Sequence, residues 1–455
     1  MRELPIFLKD VKKVGLFGLG KTNLALAKIL SERADVEFII RSDNALDKSA
    51  VPQWLKIGGI YCGSGVCRDM REDVLFLSPS VKRSREELAR AEASGICITS
   101  DAEVFFDTVR SDVYAISGSD GKSTTTELTR RLLSYGYKNV YKSGNCGEAM
   151  TPFALAEELG DAHVVELSSF TLEYLTPKTK RAVITGVSEN HLDWHDGFED
   201  YIKAKEHIYR RTDGAVIWAD GEITRSFLKR YPAFAVLSRK YSDNELKRLG
   251  APLRITAEGG AILVNGEEMI KISALKRKES HNVENMMSAM ALAYGAYKKE
   301  ELFDVARNFG GIEHRAESLG VFRGVEYIDS SVDSTPTRTV TTLIGLARPV
   351  ILILGGKGKG LSYAPLAPHA SKWAKAVILN GENRGEIKDA LLSSGEFHPG
   401  DGRIYEAEGL EDAILLAKRL AVSKDTVLLS PASTSYDQFK NFEERSNKFK
   451  SIISN

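Results

Sequence analysis

The sequence predicts an α/β protein of three domains, and three stretches carry that prediction. Val14-Gly15-Leu16-Phe17 runs into the turn Gly18-Leu19-Gly20. Val113-Tyr114-Ala115-Ile116 runs into Ser117-Gly118-Ser119-Asp120-Gly121-Lys122-Ser123-Thr124. Val350–Leu354 is almost wholly apolar and ends in Gly355-Gly356-Lys357-Gly358-Lys359-Gly360. An apolar strand that breaks into a glycine turn and then a helix is how a parallel sheet presents its ligand-facing edge. At 455 residues the chain is too long for one compact core. We therefore expect a Rossmann-like N-terminal domain over 1–106, a central P-loop ATPase-type domain over 107–311, and a Rossmann-like C-terminal domain over 312–455.

In the first segment the glycine turn precedes a helix expected over Leu24–Leu30 and a strand over Val36–Ile40. Asn23 stands where a dinucleotide turn has its third glycine. Arg41 and Ser42, rather than an acid, follow the second strand as read here. That argues against a nicotinamide cofactor and leaves another nucleotide diphosphate at Gly18, Gly20, Lys21 and Thr22 open, beside the plain reading of a packing turn. Leu75–Leu77, running into Ser78-Pro79, and Ile96–Thr99 are further strands, with a helix over Glu86–Ala93 between them.

The central segment is organised around Gly118 to Thr124. Glycines let backbone N–H groups turn inward at phosphate oxygens, and the following helix, expected from Thr125, adds partial positive charge. Lys122 would reach the outer phosphates, and Ser123 or Thr124 would hold Mg²⁺. Ile116 occupies the place of the usual first glycine. Ala162–Leu167 reads as a strand that delivers Glu166 toward the metal shell. After the strand Ala182–Val187, His191, Asp193 and His195 form a cluster that fits either a second cation or turn and cap roles. A helix over Tyr201–Tyr209 carries Lys205. Asn265-Gly266 between two apolar runs predicts a hairpin. A Met-rich helix opening at Ser280 carries Asn282 and Asn285. In the third segment Ala376–Leu379 and Val427–Leu429 are buried strands, the latter leading into Ser430-Pro431-Ala432-Ser433-Thr434-Ser435.

Bulk composition excludes several classes. Basic and acidic residues balance at 62 each, so no general affinity for nucleic acid or an anionic membrane is implied. The stretch Met1–Lys13 has no apolar core of the signal-peptide kind, and no apolar run is long enough to cross a bilayer. The four cysteines, Cys62, Cys67, Cys97 and Cys146, lack zinc-type pairing and read as reduced, mostly buried thiols of a cytoplasmic protein.

Taken together, these motifs resemble the Mur ligase family over nearly the whole chain. The resemblance rests on Gly118–Thr124, Glu166–Phe170, Asn190–Asp193, Tyr201–Lys205, His281-Asn282 with Asn285, and His314-Arg315, in family order. The C-terminal Leu429–Ala432 and Asp437–Phe442 with Arg445 are most similar to the member that adds D-glutamate to UDP-N-acetylmuramoyl-L-alanine.

The resemblance implies ATP and two Mg²⁺ ions as cofactors, and a monomer working on those two substrates. It implies that Gly118, Ser119, Asp120, Gly121, Lys122, Ser123 and Thr124 hold the ATP phosphates. Asn282 and Asn285 would approach the adenine, and Arg315 the phosphates or ribose. Ser123, Glu166, His191 and a carbamylated Lys205 would serve the metals. Gly18, Gly20, Lys21, Thr22, Asn145 and Ser168 would meet the UDP substrate, and Lys359, Ser435 and Phe442 the D-glutamate. Closure of the third domain is expected to exclude water.

The chain departs from the family pattern at Thr171 and Trp194, and in Asp329-Ser330-Ser331-Val332-Asp333-Ser334-Thr335. There Ser330 and Val332 replace an Asp and a Lys. Arg338, in the first turn of a helix begun by Thr335-Pro336, is the candidate replacement cation; its alternative is a surface arginine paired with Asp333 or with solvent. Two other functional readings are open. One is a folate-directed ligase of the same family. The other is a nucleotide-gated protein without catalysis.

Overall fold

A computed structural model describes residues 4–33, 35–46, 51–145, 147–189, 194–358, 360–398 and 400–454, with nothing described of the Arg33 side chain. The chain forms two compact units, Met1–Phe309 and Gly310–Asn455.

The first unit holds two large sheets. In one, β1 (Lys13–Phe17), β2 (Glu37–Ser42), β3 (Ile57–Cys62), β4 (Val74–Leu77) and β5 (Cys97–Thr99) run parallel in the order β3-β2-β1-β4-β5. The other contains β6 (Asp112–Ser117), β7 (Val140–Gly144) and β8 (Ala162–Glu166). After a short pair, β9 (Lys178–Thr179) with β11 (Arg211–Thr212), it continues through β10 (Arg181–Ile184), β12 (Ala215–Trp218), β13 (Ala233–Ser238), β14 (Leu253–Glu258), β15 (Ala261–Val264) and β16 (Glu267–Lys271). Its order is β16-β15-β14-β13-β12-β10-β6-β8-β7. β6 is an interior strand, paired on both sides and buried on both faces, which is why it reads as an unbroken apolar run. The β15–β16 hairpin turns at Asn265 (φ 52) and Gly266 (φ 87), the left-handed pair that its sequence predicts.

The two sheets share cores. Leu155 of the central segment belongs to the first sheet's cluster with Leu16, Phe38 and Phe76. Ala102 and Phe105 belong to the second's with Ala115, Val165 and Ile184. The Asp101 carboxylate accepts the N–H groups of Met150 (2.7 Å) and Thr151 (3.0 Å), a polar staple across the same seam.

The second unit is one sheet: β17 (Glu317–Phe322), β18 (Val325–Asp329), β19 (Val350–Gly355), β20 (Ala374–Asn380), β21 (Ile404–Glu406) and β22 (Thr426–Leu429), ordered β17-β18-β22-β19-β20-β21. Only the β17–β18 pairing is antiparallel. Leu352 and Leu354 face one layer of helices, and Ile351 and Ile353 the other.

The α/β class is as the sequence predicts. Strand and helix ends differ in informative places. β2 runs to Ser42, two residues beyond the expected end, so an acid, Asp43, does follow it. Arg41 does not face a ligand. It is fully buried, with Nε donating to Glu72 at 2.5 Å and Nη1 to the carbonyls of Val66 and Arg68. β10 ends at Ile184, and Thr185–Ser188 is loop. Cys62, Cys67 and Cys97 are free and half-buried rather than buried; Cys146 lies outside the described residues. Among the described residues no helix is long and apolar enough to cross a membrane.

Candidate active site

Ile116 lies within β6, wholly buried, so the loop proper begins two residues later. Gly118 (φ 145) and Gly121 (φ 78) take the left-handed turns. A Cβ on Gly118 would collide with Thr185 Oγ1, and one on Gly121 with Asn285 Oδ1. The helix Lys122–Leu133 starts directly at the lysine, three residues before the expected start. Thr185 and Ser119 brace the loop. Thr185 Oγ1 donates to the Asp120 carbonyl at 2.5 Å, and Ser119 Oγ lies 2.9 Å from the Tyr201 hydroxyl.

Two lysine amines meet at one carbonyl. Lys122 Nζ donates to the carbonyls of Gly118 and Ser119, both at 2.9 Å. Lys205 Nζ donates to the same Gly118 carbonyl at 2.9 Å and lies 4.6 Å over the Tyr201 ring. Burial, and then the charge of Lys122, press the Lys205 amine down to about 7. One strand over, Ile116 is paired with Glu166 in the β6–β8 ladder. Glu166 Oε1 accepts from Asn145 Nδ2 at 2.8 Å, while its buried Oε2 has no hydrogen-bond partner among the described residues.

Beyond Glu166 a cavity of 270 Å³ opens between the two sheets of the first unit, lined by Lys21, Thr22, Ser78, Asn145, Glu166 and Thr171 among others. Ser168 caps the short helix Ser169–Tyr174 by accepting from the Thr171 N–H, so Thr171 is tied back to Ser168. At the first sheet's edge, Asn23 Nδ2 donates to the Gly18 carbonyl (2.8 Å) and also reaches the Phe17 and Phe76 carbonyls and Ser78 Oγ. The residue replacing the third glycine thus stitches Gly18 to the end of β4. Asp43 holds Arg85 by two contacts of 2.7 Å beside Phe17.

On the other side of the phosphate loop, a second hollow of 260 Å³ is bordered by Ser119, Gly121, Gly186, His281, Glu284 and Asn285. Asn285 backs the loop, accepting from Thr125 Oγ1 at 3.2 Å. Asn282 is buried and its amide donates to Glu279. His191 lies outside the described residues, as does Asp193. His195 is buried, with Nδ1 3.2 Å from Asp200. Trp194 Nε1 donates to Glu173 and its ring packs on Phe170.

In the second unit Lys359 lies outside the described residues. Ser435 is buried, its carbonyl accepting from the N–H groups of Gln438 and Phe439. The Phe442 ring stands edge-on to His314 at 5.7 Å. Arg315 closes the tight turn from Ile312, between His314 (φ 62) and Ala316 (φ 45). Ser330 Oγ accepts the Ala316 N–H, and Arg338 Nη1 donates to the Val332 carbonyl at 3.3 Å. The buried Asp333 carboxylate accepts from the Ser430 and Thr342 hydroxyls, both at 2.7 Å, which turn it inward, so the surface pair with Arg338 is not the arrangement found.

The sequence reading missed Asp43, Arg85 and Asp101. A strand extended by two residues would have exposed the first; the other two carry no local signal.

Residues 116–293 match the Mur ligase middle domain. The sequence is 34% identical to the UDP-N-acetylmuramoylalanine–D-glutamate ligase of Clostridium perfringens over 462 residues, 100% of this chain and 98% of that one. It is 35% identical to the ligase of the same name from Clostridium tetani over 452 residues, 98% of this chain and 97% of the other. Among solved structures, UDP-N-acetylmuramate-alanine ligase MurC of Thermotoga maritima shares the fold, with a TM-score of 0.56 at 20% identity over 98% of this chain and 99% of that one.

Proposed function

The chain belongs to the Mur ligase family, and from that membership we propose that it joins D-glutamate to UDP-N-acetylmuramoyl-L-alanine, with ATP as the phosphoryl donor, in the cytoplasm, for peptidoglycan precursor synthesis. The three sheets are read as three domains, with boundaries at 106/107 and 311/312. The observation that carries the reading is the convergence of Lys122 and a near-neutral, buried Lys205 on the Gly118 carbonyl, next to Glu166.

A carboxylate is a poor acyl donor because oxide is a poor leaving group. Transfer of the γ-phosphoryl group to the L-alanyl carboxylate gives an acyl phosphate and ADP. The D-glutamate amine then attacks the acyl carbon, phosphate leaves with the C–O bonding pair, and the ammonium nitrogen loses its proton. The first step depends on positioning and charge neutralisation. Lys122 would turn from its loop carbonyls to the phosphates. The N–H groups of Gly118–Thr124, apart from that of Ser119, which donates to the Gly186 carbonyl at 2.8 Å, would hold the remaining oxygens. Asn145 would orient the muramoyl end in the 270 Å³ cavity, and Ser168 would do so from beside its lining residue Thr171. Lys21, Thr22 and the Gly18 turn would take the diphosphate, and Asp43 the ribose, as an acid after the second strand does in this architecture.

Ser123, Glu166 and a carbamylated Lys205 would be a donor set suited to Mg²⁺, and the buried Glu166 Oε2, which has no partner among the described residues, supports a cation there. A free lysine amine would repel that cation. A neutral amine can add CO₂ and become an anionic carbamate, and an amine held near 7 is neutral often enough to do so. Bound Mg²⁺ would supply charge neutralisation of the phosphates.

The test is phosphate release from ATP in the presence of UDP-N-acetylmuramoyl-L-alanine, each amino acid being offered singly. Release that depends on D-glutamate is expected. Release with another amino acid alone, or nucleotide binding without turnover, would overturn the reading. Lys122→Ala should abolish release while leaving the circular dichroism spectrum unchanged.

A further inference from the structure

In the second unit, the chain leaves β19 and β22 toward opposite faces of the sheet. The helix Ala367–Trp373 after β19 packs with Leu352 and Leu354, and the helix Phe442–Ser454 after β22 packs with Ile351 and Ile353. Adjacent strands whose connections diverge open a crevice at their carboxyl ends, where ligands of such sheets bind. The loops bordering it begin at Gly355-Gly356-Lys357 and at Ser430-Pro431-Ala432-Ser433-Thr434-Ser435. They are joined edge to edge, since the Lys357 N–H donates to the Thr434 carbonyl and the Thr434 N–H to the Lys357 carbonyl.

A residue from a third loop sets this junction. Asn383 follows β20 and is 7% exposed. Its Oδ1 accepts the Gly356 N–H at 2.9 Å, while its own N–H donates to the Gly356 carbonyl at 3.0 Å. Its Nδ2 donates to Ser433 Oγ (2.8 Å) and to the Tyr363 hydroxyl (2.5 Å), and those two oxygens lie 3.1 Å apart. One buried amide therefore grips the β19 loop by its backbone and the β22 loop by a side chain. Behind it, Arg445 Nη2 donates to the Ser331 and Ser433 carbonyls. Gly356 (φ 148) passes so near the Thr434 carbonyl that a Cβ would collide with it, so the two loops meet at a spacing that only glycine allows.

We infer that Asn383 is a positioning residue for the amino-acid substrate, setting, with Tyr363 and Ser433, the spacing of the two loops that receive it. The inference rests on the reading of this crevice as the D-glutamate site. Asn383 touches no reacting atom. Its removal loosens the receptor equally for the ground state and the transition state, and so raises KM more than it lowers kcat.

The experiment is steady-state kinetics on the full chain with each of the three substrates varied in turn. Asn383→Ala should raise KM for D-glutamate by roughly tenfold, with kcat within about threefold of the parent and both other KM values unchanged. Tyr363→Phe keeps the ring in its apolar packing and removes one hydroxyl; it should raise the same KM by roughly threefold. An unchanged KM for D-glutamate in both variants overturns the inference, as does a parallel rise in all three KM values with a lowered unfolding temperature. Ser435→Ala separates the two levels. If it leaves KM for D-glutamate unaltered, the crevice is not the amino-acid site and the inference falls with that reading. If it raises KM while Tyr363→Phe and Asn383→Ala do not, only the positioning role is lost.

Discussion

Lys205 spends its burial on chemistry rather than on stability. An ordinary lysine amine in water carries its proton until about pH 10.4. Here enclosure and the facing Lys122 charge bring it to about 7, so near neutrality much of it is a free amine. Lys205→Ala should lose turnover that bicarbonate cannot restore and a short-chain carboxylic acid restores in part. Full activity of that variant in CO₂-free buffer would remove the residue from the mechanism. His314 shows the opposite shift. Its hydrogen bond to Asp329 holds its proton on beyond the ordinary 6.5. Burial pushes the Asp329 carboxyl up, but hydrogen bonds from His314, Ser331 and Ser446 together bring it below the ordinary 3.8. The histidine contribution is complete below 6.5 and fades as pH rises through its raised folded value. The aspartate contribution is complete above 3.8 and fades as pH falls through its lowered one. Urea midpoints for the second unit should therefore be highest between about pH 4 and 6.5 and decline on both sides. Asp329→Asn should flatten the alkaline decline; an unaltered slope would mean that the pair does not govern it.

At the scale of elements, the phosphate loop was legible because its chemistry is local: strand, glycines, lysine and helix lie within a dozen or so residues. What the local pattern could not give was which glycine does which task. Ile116 looked like a missing glycine and is a buried strand residue; Gly118 and Gly121 carry the turns. Gly121→Ala places a Cβ at φ 78 and against Asn285. The backbone cost is about 1–2 kcal/mol, but the displaced loop should cost far more in kcat/KM for ATP than in stability. Comparable losses in both would argue for a purely structural turn. Asn23 was legible only as an anomaly. Its meaning lies in β4, more than fifty residues away in sequence, and no window of sequence contains that pairing. Asn23→Ala takes the amide donor from the Gly18 and Phe76 carbonyls and leaves Gly18 the Ser78 hydroxyl at 3.4 Å. It should destabilise the first unit by about 2 kcal/mol and raise KM for the UDP substrate; an unchanged denaturation midpoint would contradict it. Arg41 was placed after the second strand and lies within it; the partners that explain its burial, Glu72 and the Val66 and Arg68 carbonyls, lie far along the chain.

At the scale of the whole molecule, three apolar strand sets were visible in the sequence, but how they group was not. Grouping depends on which cores share residues. Leu155 sits in the first sheet's core, Ala102 and Phe105 in the second's, and Asp101 caps Met150 and Thr151 across the seam. These contacts join Met1–Phe309 into one compact unit. Gly310–Asn455 has its own two cores on the two faces of its sheet. Units with separate cores unfold separately unless something else couples them. Calorimetry of the full chain should therefore resolve two transitions, the larger belonging to the first unit because enthalpy scales with residues. The UDP substrate should raise the larger transition alone, and a non-hydrolysable ATP analogue with Mg²⁺ should raise chiefly that one, by about 2.7 kcal/mol of stability at a hundredfold excess over Kd, moving the smaller transition only through Arg315. D-glutamate should raise only the smaller one. Gly118→Ala should cancel the analogue's shift without touching the smaller transition, because the strained loop lies wholly in the first unit. A single transition that moves as a whole with either ligand would show that the chain melts as one cooperative body.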